Sequence, residues 1–359
     1  MADTSINSNN REKKFLADFF AEYVRDNMFS PYTGTDSNNP IVIKEGKKQV
    51  SIPLIAKMSG SGVSGSQTLD GNEEDLDDYD YVLTPTYYRN AFRVSKEERD
   101  KPAFDIMSAG REMCMSWGME KVRDDIIKEA LGSLGDGAGT TVTVANTTTD
   151  INTTADTWLT NNADRVLYGN DTAHISAGDH SDSLGNIEVA NDKLTGDTIR
   201  LARKIARTAN PIIRPIRVPG GRETYVLFCG TNAFIDLQED LETLHSNAGM
   251  RGEGNPLFRP GDLIWDNVVV REVPEISTLL ADSTYYATAG DSSSKVEPAF
   301  LCGAQAVGYG LGQRPDLIVD REKDYKFKPG VAVELKHDID KLIYNTKDHG
   351  VVSLFVTGE

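Results

Sequence analysis

The sequence has few of the features that indicate a membrane, secreted or nucleic-acid-binding protein. Asp and Glu outnumber Lys and Arg by 55 to 38, and the resulting net charge of −17 argues against binding nucleic acid through a general basic surface. No apolar run is long enough to cross a membrane, and the polar residues 1–10 resemble neither a secretory signal nor a transit peptide. Because Cys114, Cys229 and Cys302 lie far apart in apolar contexts, we expect buried, reduced thiols in a cytosolic product.

The sequence also lacks the motifs that carry most enzymatic chemistry. No GxSxG, HExxH, P-loop or paired-cysteine motif is present, and the histidines show no metal-ligand spacing. The acidic run from Asp70 to Asp80 lacks the alternating ligands and fixed glycine of an EF-hand loop. Asp338 and Asp340 beside His337 could mimic a catalytic cluster, but we favour a polar, exposed strand end. We therefore expect no catalytic residue, no cofactor and no metal ion.

One motif, Gly60-Ser61-Gly62-Val63-Ser64-Gly65, matches the GxGxxG pattern and follows a predicted strand. In a dinucleotide site the last glycine opens a helix whose N-terminus faces the pyrophosphate. Residues 66–72 lack the amphipathic pattern of such a helix. We favour a flexible Ser/Gly tip and keep a soluble, nucleotide-dependent enzyme as an alternative hypothesis.

The main predicted element is a long helix from Pro102 to Leu131, in a chain of 359 residues that can form two or three lobes. Pro is tolerated in a first helical turn, and Gly132 supplies a stop. The apolar face changes midway, so we expect the two halves to pack against different parts of one subunit. The first half presents Ile106, Met107, Gly110, Met113, Cys114, Trp117 and Gly118, and the second half presents Val122, Ile126, Ile127, Ala130 and Leu131.

The second organising feature is a long hairpin. Residues 49–57 predict a strand and residues 79–94 its return, with a polar tip from Met58 to Asp78 that is too long for an ordinary hairpin connection. Because a two-stranded hairpin is marginally stable in water, we expect it to lie on another surface. The far side of the tip is crowded with carboxylates: Asp70, Glu73, Glu74, Asp75, Asp77, Asp78 and Asp80.

The remaining elements mix helices and strands without a βαβ pattern, which indicates the α+β class. Before the hairpin, residues 15–24 predict an amphipathic helix whose apolar stripe has no neighbour in sequence to cover it. After the long helix, residues 135–191 predict an insertion of short strands and loops. Further helices are expected at 194–209 and 231–237, and strands at 225–229, 268–273, 300–304, 331–335 and 351–356.

This order of parts resembles the major capsid proteins of tailed bacteriophages, which share the Hong Kong-97 phage capsid fold, and within them the N4-type family. Four segments carry the resemblance: Val50-Ser51-Ile52-Pro53-Leu54, Tyr88-Arg89-Asn90-Ala91-Phe92, Asn255-Pro256-Leu257-Phe258 and Phe300-Leu301-Cys302-Gly303-Ala304-Gln305-Ala306. The resemblance implies five parts: an N-terminal arm (1–47), an E-loop hairpin (48–100), a P-domain (101–223), an A-domain (224–345) and a C-terminal strand (346–359) that returns to the P-domain. The P-domain would contain the spine helix 102–131 and the polar insertion 135–191.

The resemblance implies a coat protein that self-assembles into pentamers and hexamers of an icosahedral head enclosing double-stranded DNA without sequence-specific binding. Because no scaffolding segment precedes the arm, it also implies a separate scaffolding protein or prior removal, besides a portal and decoration proteins. The expected location is the virion, and the host cytoplasm during assembly. An encapsulin-like compartment shell is an alternative with the same fold. Some relatives join subunits by a lysine–asparagine bond, which we do not carry over to Lys57 because nothing identifies its asparagine.

Closed assembly would bury the features that one subunit leaves uncovered. We therefore expect inter-subunit contacts at the arm helix and the hairpin tip: Phe15, Phe19, Tyr23, Lys57, Val63, Leu69, Asp75, Asp77 and Asp78. We also expect the tip carboxylates to lie near bases of a neighbouring subunit. The candidates are Arg11, Lys13, Lys14, Lys44, Lys47, Lys48, Arg214 and Arg217.

Overall fold

A computed structural model describes residues 27–100, 105–136, 140–146, 152–218, 222–248 and 263–359. The predicted arm helix at 15–24 and the segment Asn255-Pro256-Leu257-Phe258 lie outside the described residues. Contacts between residues divide the chain into two compact units. Among the described stretches, the small unit contains Asn27, Thr86–Lys121 and Gln313–Lys336, and the large unit contains Met28–Pro85, Val122–Gly312 and His337–Glu359.

A mixed sheet of seven strands forms the centre of the large unit. Two pairs of neighbouring strands in this sheet are parallel: Arg222–Cys229 with Val268–Glu272, and Val351–Thr357 with Val166–Tyr168. All other neighbouring strands in the sheet are antiparallel. In spatial order the strands are Leu263–Trp265, Val268–Glu272, Arg222–Cys229, Val296–Cys302, Val351–Thr357 and Val166–Tyr168, with Ile216–Val218 paired to Arg222–Cys229. All residues of Val296–Cys302 and Val351–Thr357 are buried, which is typical of strands covered on both faces.

The two faces of this sheet contribute to separate cores, because side chains along a strand alternate between faces. Leu227 and Cys229 pack in one core with the helices Gly196–Thr208 and Thr231–Ala248. Val226 and Phe228 pack in the other. The second core contains Phe29, the π-helical turn Ile126–Leu131 and the helical segment Pro274–Ala281.

The large unit has several smaller elements. Ile41–Glu45 lies between Thr33–Gly34 and the start of Val307–Asp320, and it is parallel to both. Short antiparallel pairs and helices complete the unit: Val50–Ile55 with Asp78–Leu83, Ser133–Gly135 with Thr141–Thr143, Ile343–Tyr344 with Lys347–Asp348, and the helices Asn152–Asn162 and His180–Gly185.

The small unit packs one helix on three strands. Its strand order is Val307–Asp320, Gly330–Lys341 and Thr86–Arg93, of which the first two continue beyond the unit. The helix Ile106–Asp125 contributes the part up to Lys121, and a short helix, Lys96–Arg99, follows the last strand. Met107 and Cys114 of the long helix form the core with Val331 and Val333.

The long helix confirms the prediction that its two halves pack differently. Its first half belongs to the small-unit core, whereas Ile126, Ile127, Ala130 and Leu131 belong to the second core of the large unit. Two details differ. Residues 126–131 form a π-helical turn that ends where Gly132 donates its N–H to the Ile127 carbonyl (2.8 Å). Met113, which was predicted on the apolar side, is 36% exposed. The predicted start at Pro102 lies outside the described residues.

The predicted return strand 79–94 is wrong as a single element. It divides into Asp78–Leu83 and Thr86–Arg93, because Pro85 has no N–H to donate and the Thr84 N–H is taken by the Asp338 carboxylate (2.6 Å). The polar stretch after the long helix contains the helix Asn152–Asn162, whose Trp158 is fully buried, and is therefore more than strands and loops.

Most other predicted elements are confirmed with shifted ends. The helix predicted at 231–237 begins at Thr231 and continues to Ala248, and the strand predicted at 331–335 extends over Gly330–Lys341. The three cysteines are free and buried, as expected.

Two glycines of the long helix provide a test of the small-unit packing. A Cβ added to Gly110 would collide with the Phe92 ring, whereas the nearest atom to a Cβ at Gly118 is Val333 Cγ2 at 3.8 Å. We expect Gly110→Ala to lower the free energy of unfolding by about 1–3 kcal/mol through overpacking. Gly118→Ala, the matched control, should raise it by up to about 1 kcal/mol because alanine favours the helix. Denaturant titration measures both, and equal effects would contradict the close approach at Gly110.

Candidate assembly surface at the hairpin

The hairpin of the large unit has a buried face at its base. Val50–Ile55 pairs antiparallel with Asp78–Leu83, from Val50 opposite Leu83 to Ile55 opposite Asp78. Alternation turns Val50 and Ile52 inward, and with Leu83 they pack on Leu342 and Tyr344. The base of the hairpin is therefore fixed by an apolar cluster within its own unit.

Polar contacts fix the same base to the strand Gly330–Lys341 and the turn that follows it. The Tyr344 hydroxyl donates to the Ile52 carbonyl (2.9 Å), and the Tyr81 hydroxyl donates to the Asp340 carboxylate. Asp338 accepts the Thr84 N–H at 2.6 Å. Because Asp338 and Asp340 are two residues apart on a strand, both side chains reach the hairpin from one face.

His337 lies on the opposite face of that strand and does not join the two carboxylates. It is 1% exposed, and its Nε2 lies 2.8 Å from Asp125 Oδ2, another buried side chain. The sequence cluster of His337, Asp338 and Asp340 is therefore not a spatial cluster. It is also not a polar, exposed strand end, since these residues lie within a strand that packs on both sides.

The environment of Asp340 changes its acidity. Burial raises the pKa of this carboxyl to about 6, although the hydrogen bond from Tyr81 acts in the opposite direction. Burial and the nearby Asp340 charge also raise the pKa of Tyr81 far above its ordinary value. The hairpin is thus held in part by a carboxyl whose protonation changes near pH 6.

A buried ion pair supports the turn that carries Tyr344. Lys341, which has no exposed surface, donates to Asp348 Oδ2 (3.0 Å) and to the Ser133 carbonyl (2.9 Å). Trp158 Nε1 donates to the same Asp348 oxygen (3.1 Å). Sequence reasoning missed this group. A signal was present, because Lys341 follows the buried His337 and Ile339 at a spacing of two and therefore lies on the same inward face of the strand.

The tip, residues 56–77, contains no helix or strand. Its limbs are joined by Glu74, whose carboxylate accepts the N–H groups of Ser59 (2.6 Å) and Gly60 (2.7 Å). These N–H bonds lower the pKa of Glu74. Residues 66–77 lack the helix that a dinucleotide site requires, so the nucleotide-site hypothesis for Gly60 to Gly65 is wrong.

The predicted contact residues of the tip and Asp78, which begins the second hairpin strand, are at the surface. Lys57, Leu69, Asp75, Asp77 and Asp78 are exposed and Val63 is half-buried, whereas Phe15, Phe19 and Tyr23 lie outside the described residues. Sequence reasoning missed four other exposed apolar side chains on the hairpin: Ile55, Met58, Leu76 and Val82, which are 64%, 59%, 57% and 46% exposed. The exposure of Val82 could have been predicted from the sequence. Side chains alternate between the two faces of a strand, so Val82 faces away from the side on which its neighbour Leu83 is buried.

The tip carboxylates are not neutralised within the described part of the chain. No ion pair there joins Asp75, Asp77 or Asp78 to a basic side chain. Of the candidate bases, Lys44, Lys47, Lys48, Arg214 and Arg217 are exposed, and Arg11, Lys13 and Lys14 lie outside the described residues.

A groove of about 600 Å³ lies beside the second hairpin strand, and its lining includes Asp78, Asp80, Asp340, Tyr79 and Tyr344.

The described stretches contain no group of three His, Cys, Asp or Glu side chains arranged to hold a metal ion. No helix within them combines the length and apolar character needed to span a bilayer.

The pKa of Asp340 predicts how stability depends on pH. Between about pH 4 and about pH 6 the folded chain keeps a proton that the unfolded chain has released, so the free energy of unfolding falls as pH rises through this window. Asp340→Asn retains an oxygen that can accept from Tyr81 but does not titrate. We expect the variant to show a smaller decrease over this window in denaturant titrations followed by tryptophan fluorescence. Identical pH dependence in the two proteins would contradict the assignment.

Comparisons with known proteins agree with a shell protein. The sequence pattern of the family described as "Phage capsid protein" matches residues 3–355. A relative, the major capsid protein of Pseudomonas phage KPP25, is 26% identical over an alignment of 354 residues. The match covers 92% of this chain and 90% of the relative.

Solved structures match over almost the whole chain. The capsid asymmetric unit of cyanophage Pam1 is 30% identical with a TM-score of 0.88, and the match covers 100% of this chain and 99% of that one. The capsid of Ralstonia phage GP4 has the same fold, with 21% identity, a TM-score of 0.72 and coverage of 100% and 99%. The expected mixed helix-and-sheet fold and capsid function are thereby confirmed. The chain belongs to the phage capsid protein family and is a capsid protein of a phage head.

Proposed function

We propose that this capsid protein is the major one of its virion and builds an icosahedral head from pentamers and hexamers. The hairpin carries the proposal: its base is held by its own unit, while its tip exposes apolar side chains and carboxylates that form no ion pair among the described residues. The match to the capsid of cyanophage Pam1 supports a shell made of many copies. A closed symmetric shell lets every copy bury the same tip against the same surface of its neighbour.

We further propose the N4-type layout of the Hong Kong-97 phage capsid fold. In this layout residues 1–47 are the arm, 48–100 the E-loop, 101–223 the P-domain, 224–345 the A-domain and 346–359 the returning strand. The long helix supports a spine role, because its two halves contribute to the cores of different units.

The length of the tip supports a contact with a neighbouring subunit. Residues 56–77 form two limbs of about eleven residues each, and an extended limb of this length reaches at most about 40 Å. Such a reach exceeds what is needed to fold back on the hairpin strands. The contact residues would be those that the sequence predicted in the tip, together with the exposed Ile55, Met58, Leu76 and Val82.

The proposed shell encloses double-stranded DNA without reading its sequence. The net charge of −17 supports this, because a wall without a basic excess confines DNA but does not bind its phosphates tightly. A separate scaffolding protein, a portal and decoration proteins would be the partners, and assembly would occur in the host cytoplasm. In this function the chain has a structural role and no catalytic one.

Electron microscopy of the purified chain, with size-exclusion chromatography, tests the proposal directly. We expect closed shells, pentamers or hexamers, and packaged DNA in heads from infected cells. A chain that stays monomeric or dimeric even when co-expressed with its phage's scaffolding protein would contradict the proposal. Shells that enclose protein cargo and no DNA would instead support an encapsulin-like compartment.

The tip charges provide a second test. We expect a variant with Asp75→Asn, Asp77→Asn and Asp78→Asn to assemble at least several-fold less efficiently, because the tip loses its attraction to bases on the neighbour. A matched control neutralises three exposed carboxylates of the large unit that, like those of the tip, form no ion pair among the described residues: Asp36, Asp182 and Asp291. The yield of shells by sedimentation measures the effect, and unchanged assembly of the tip variant would count strongly against an electrostatic tip contact.

A further inference from the structure

The small unit ends in a strand that is exposed along nearly its whole length. Thr86–Arg93 is the last strand in the order of its sheet, and no described strand pairs with its outer edge. Of its eight residues only Tyr88 and Phe92 are half-buried, and the others are exposed. A long edge whose backbone groups are not paired to another strand is a template for pairing with another chain.

Hydrogen bonds indicate which residues face the free edge. Val94 donates its N–H to the Pro329 carbonyl (3.1 Å), so even-numbered residues of this strand face the neighbouring strand. The Ala91 N–H is instead bonded to the side chain of Asn90 (2.9 Å), which agrees with that alternation. The backbone groups of Tyr87, Arg89, Ala91 and Arg93 therefore face outward.

The side chains of these outward residues give the edge a positive charge. Phe92 lies against Gly110 and Tyr88 against Lys121, so the even-numbered side chains face the long helix. Arg89 and Arg93 lie on the other face, where Arg93 also forms an exposed ion pair with Asp320 (3.2 Å). Two such edges would repel each other, so the charge disfavours self-pairing and favours an acidic strand.

The tip contains a segment with the complementary pattern. Residues 72–77 include Glu73, Asp75 and Asp77 at a spacing of two, so an extended backbone places three carboxylates on one face. The Glu73 carboxylate also accepts the exposed Gly71 N–H (2.7 Å), a contact that leaves its charge in place. The segment has no base and belongs to no strand among the described residues.

We propose that residues 72–77 of a second copy add as a strand to the free edge of Thr86–Arg93. The face with Glu73, Asp75 and Asp77 then lies along the face with Arg89 and Arg93. The exposed Ala91, which lies between Arg89 and Arg93 on the same face, leaves room for the incoming side chains. This inference rests on the proposed function, and it assigns the acidic tip a defined surface on its neighbour.

Disulfide cross-linking between two copies tests the proposed pairing. One chain carries Ala91→Cys, and a second chain with a size tag carries a cysteine at one of the positions 73 to 77. The native cysteines are buried, and burial raises the pKa of Cys302 to about 12, so the wild-type chain should not cross-link. After co-assembly, shells are confirmed by microscopy, oxidised with a copper catalyst and analysed on non-reducing gels.

We expect tagged–untagged dimers to be at least five-fold more abundant for Glu73→Cys, Asp75→Cys and Asp77→Cys than for Glu74→Cys and Leu76→Cys. Intact shells without this alternation would overturn the strand addition but not the proposed function. Failure of the wild-type chain to form shells with its scaffolding protein would instead reject the proposed function.

A charge exchange tests the same contact if the cysteine variants do not assemble. Arg89→Glu with Arg93→Glu should reduce assembly several-fold, and adding Asp75→Lys with Asp77→Lys in the same chain should restore at least half of it. Absence of restoration in soluble, folded protein would overturn the pairing.

Discussion

The buried ion pair between Lys341 and Asp348 is the interaction on which the candidate assembly surface depends. An ammonium group without exposed surface is stable only with close partners, and the Asp348 carboxylate and the Ser133 carbonyl provide them. Trp158 binds the same carboxylate. The pair holds the end of the strand Gly330–Lys341 to the turn that follows it, and from these two segments Asp338, Asp340 and Tyr344 hold the hairpin.

The hairpin therefore combines a fixed base with a tip that its own unit does not cover. An apolar cluster and three hydrogen bonds hold the base, whereas the tip is organised mainly by Glu74 between its two limbs. In the shell proposed above, the tip is the part of the hairpin that would contact a neighbouring subunit.

The long helix shows how one element can serve two cores. Its first half presents Met107 and Cys114 to the small unit, and its second half presents Ile126, Ile127, Ala130 and Leu131 to the large unit. The sequence alone showed that the apolar side of the helix changes midway, because the spacing of residues on a helix depends only on their positions in the chain. The π-helical turn at 126–131 was not visible, since it depends on the contacts around that segment.

The sequence by itself determined the features that depend on local periodicity and composition. These include the long helix with its change of face, the hairpin, most strands of the central sheet, and the acidic, exposed tip. The helix and the strands follow from the spacing of their apolar residues, and the acidic tip follows from its local composition.

Only the tertiary structure decided which distant residues meet. It divided the predicted return strand at Pro85, because Asp338, from a strand more than two hundred residues later, takes the Thr84 N–H. It separated His337 from Asp338 and Asp340, and it brought Lys341 to Asp348 and Trp158. Such pairings depend on strand order and register, which no local sequence pattern specifies. Once these polar groups are buried, the pairings are required, because a buried polar group without a hydrogen-bond partner lowers the stability of the fold.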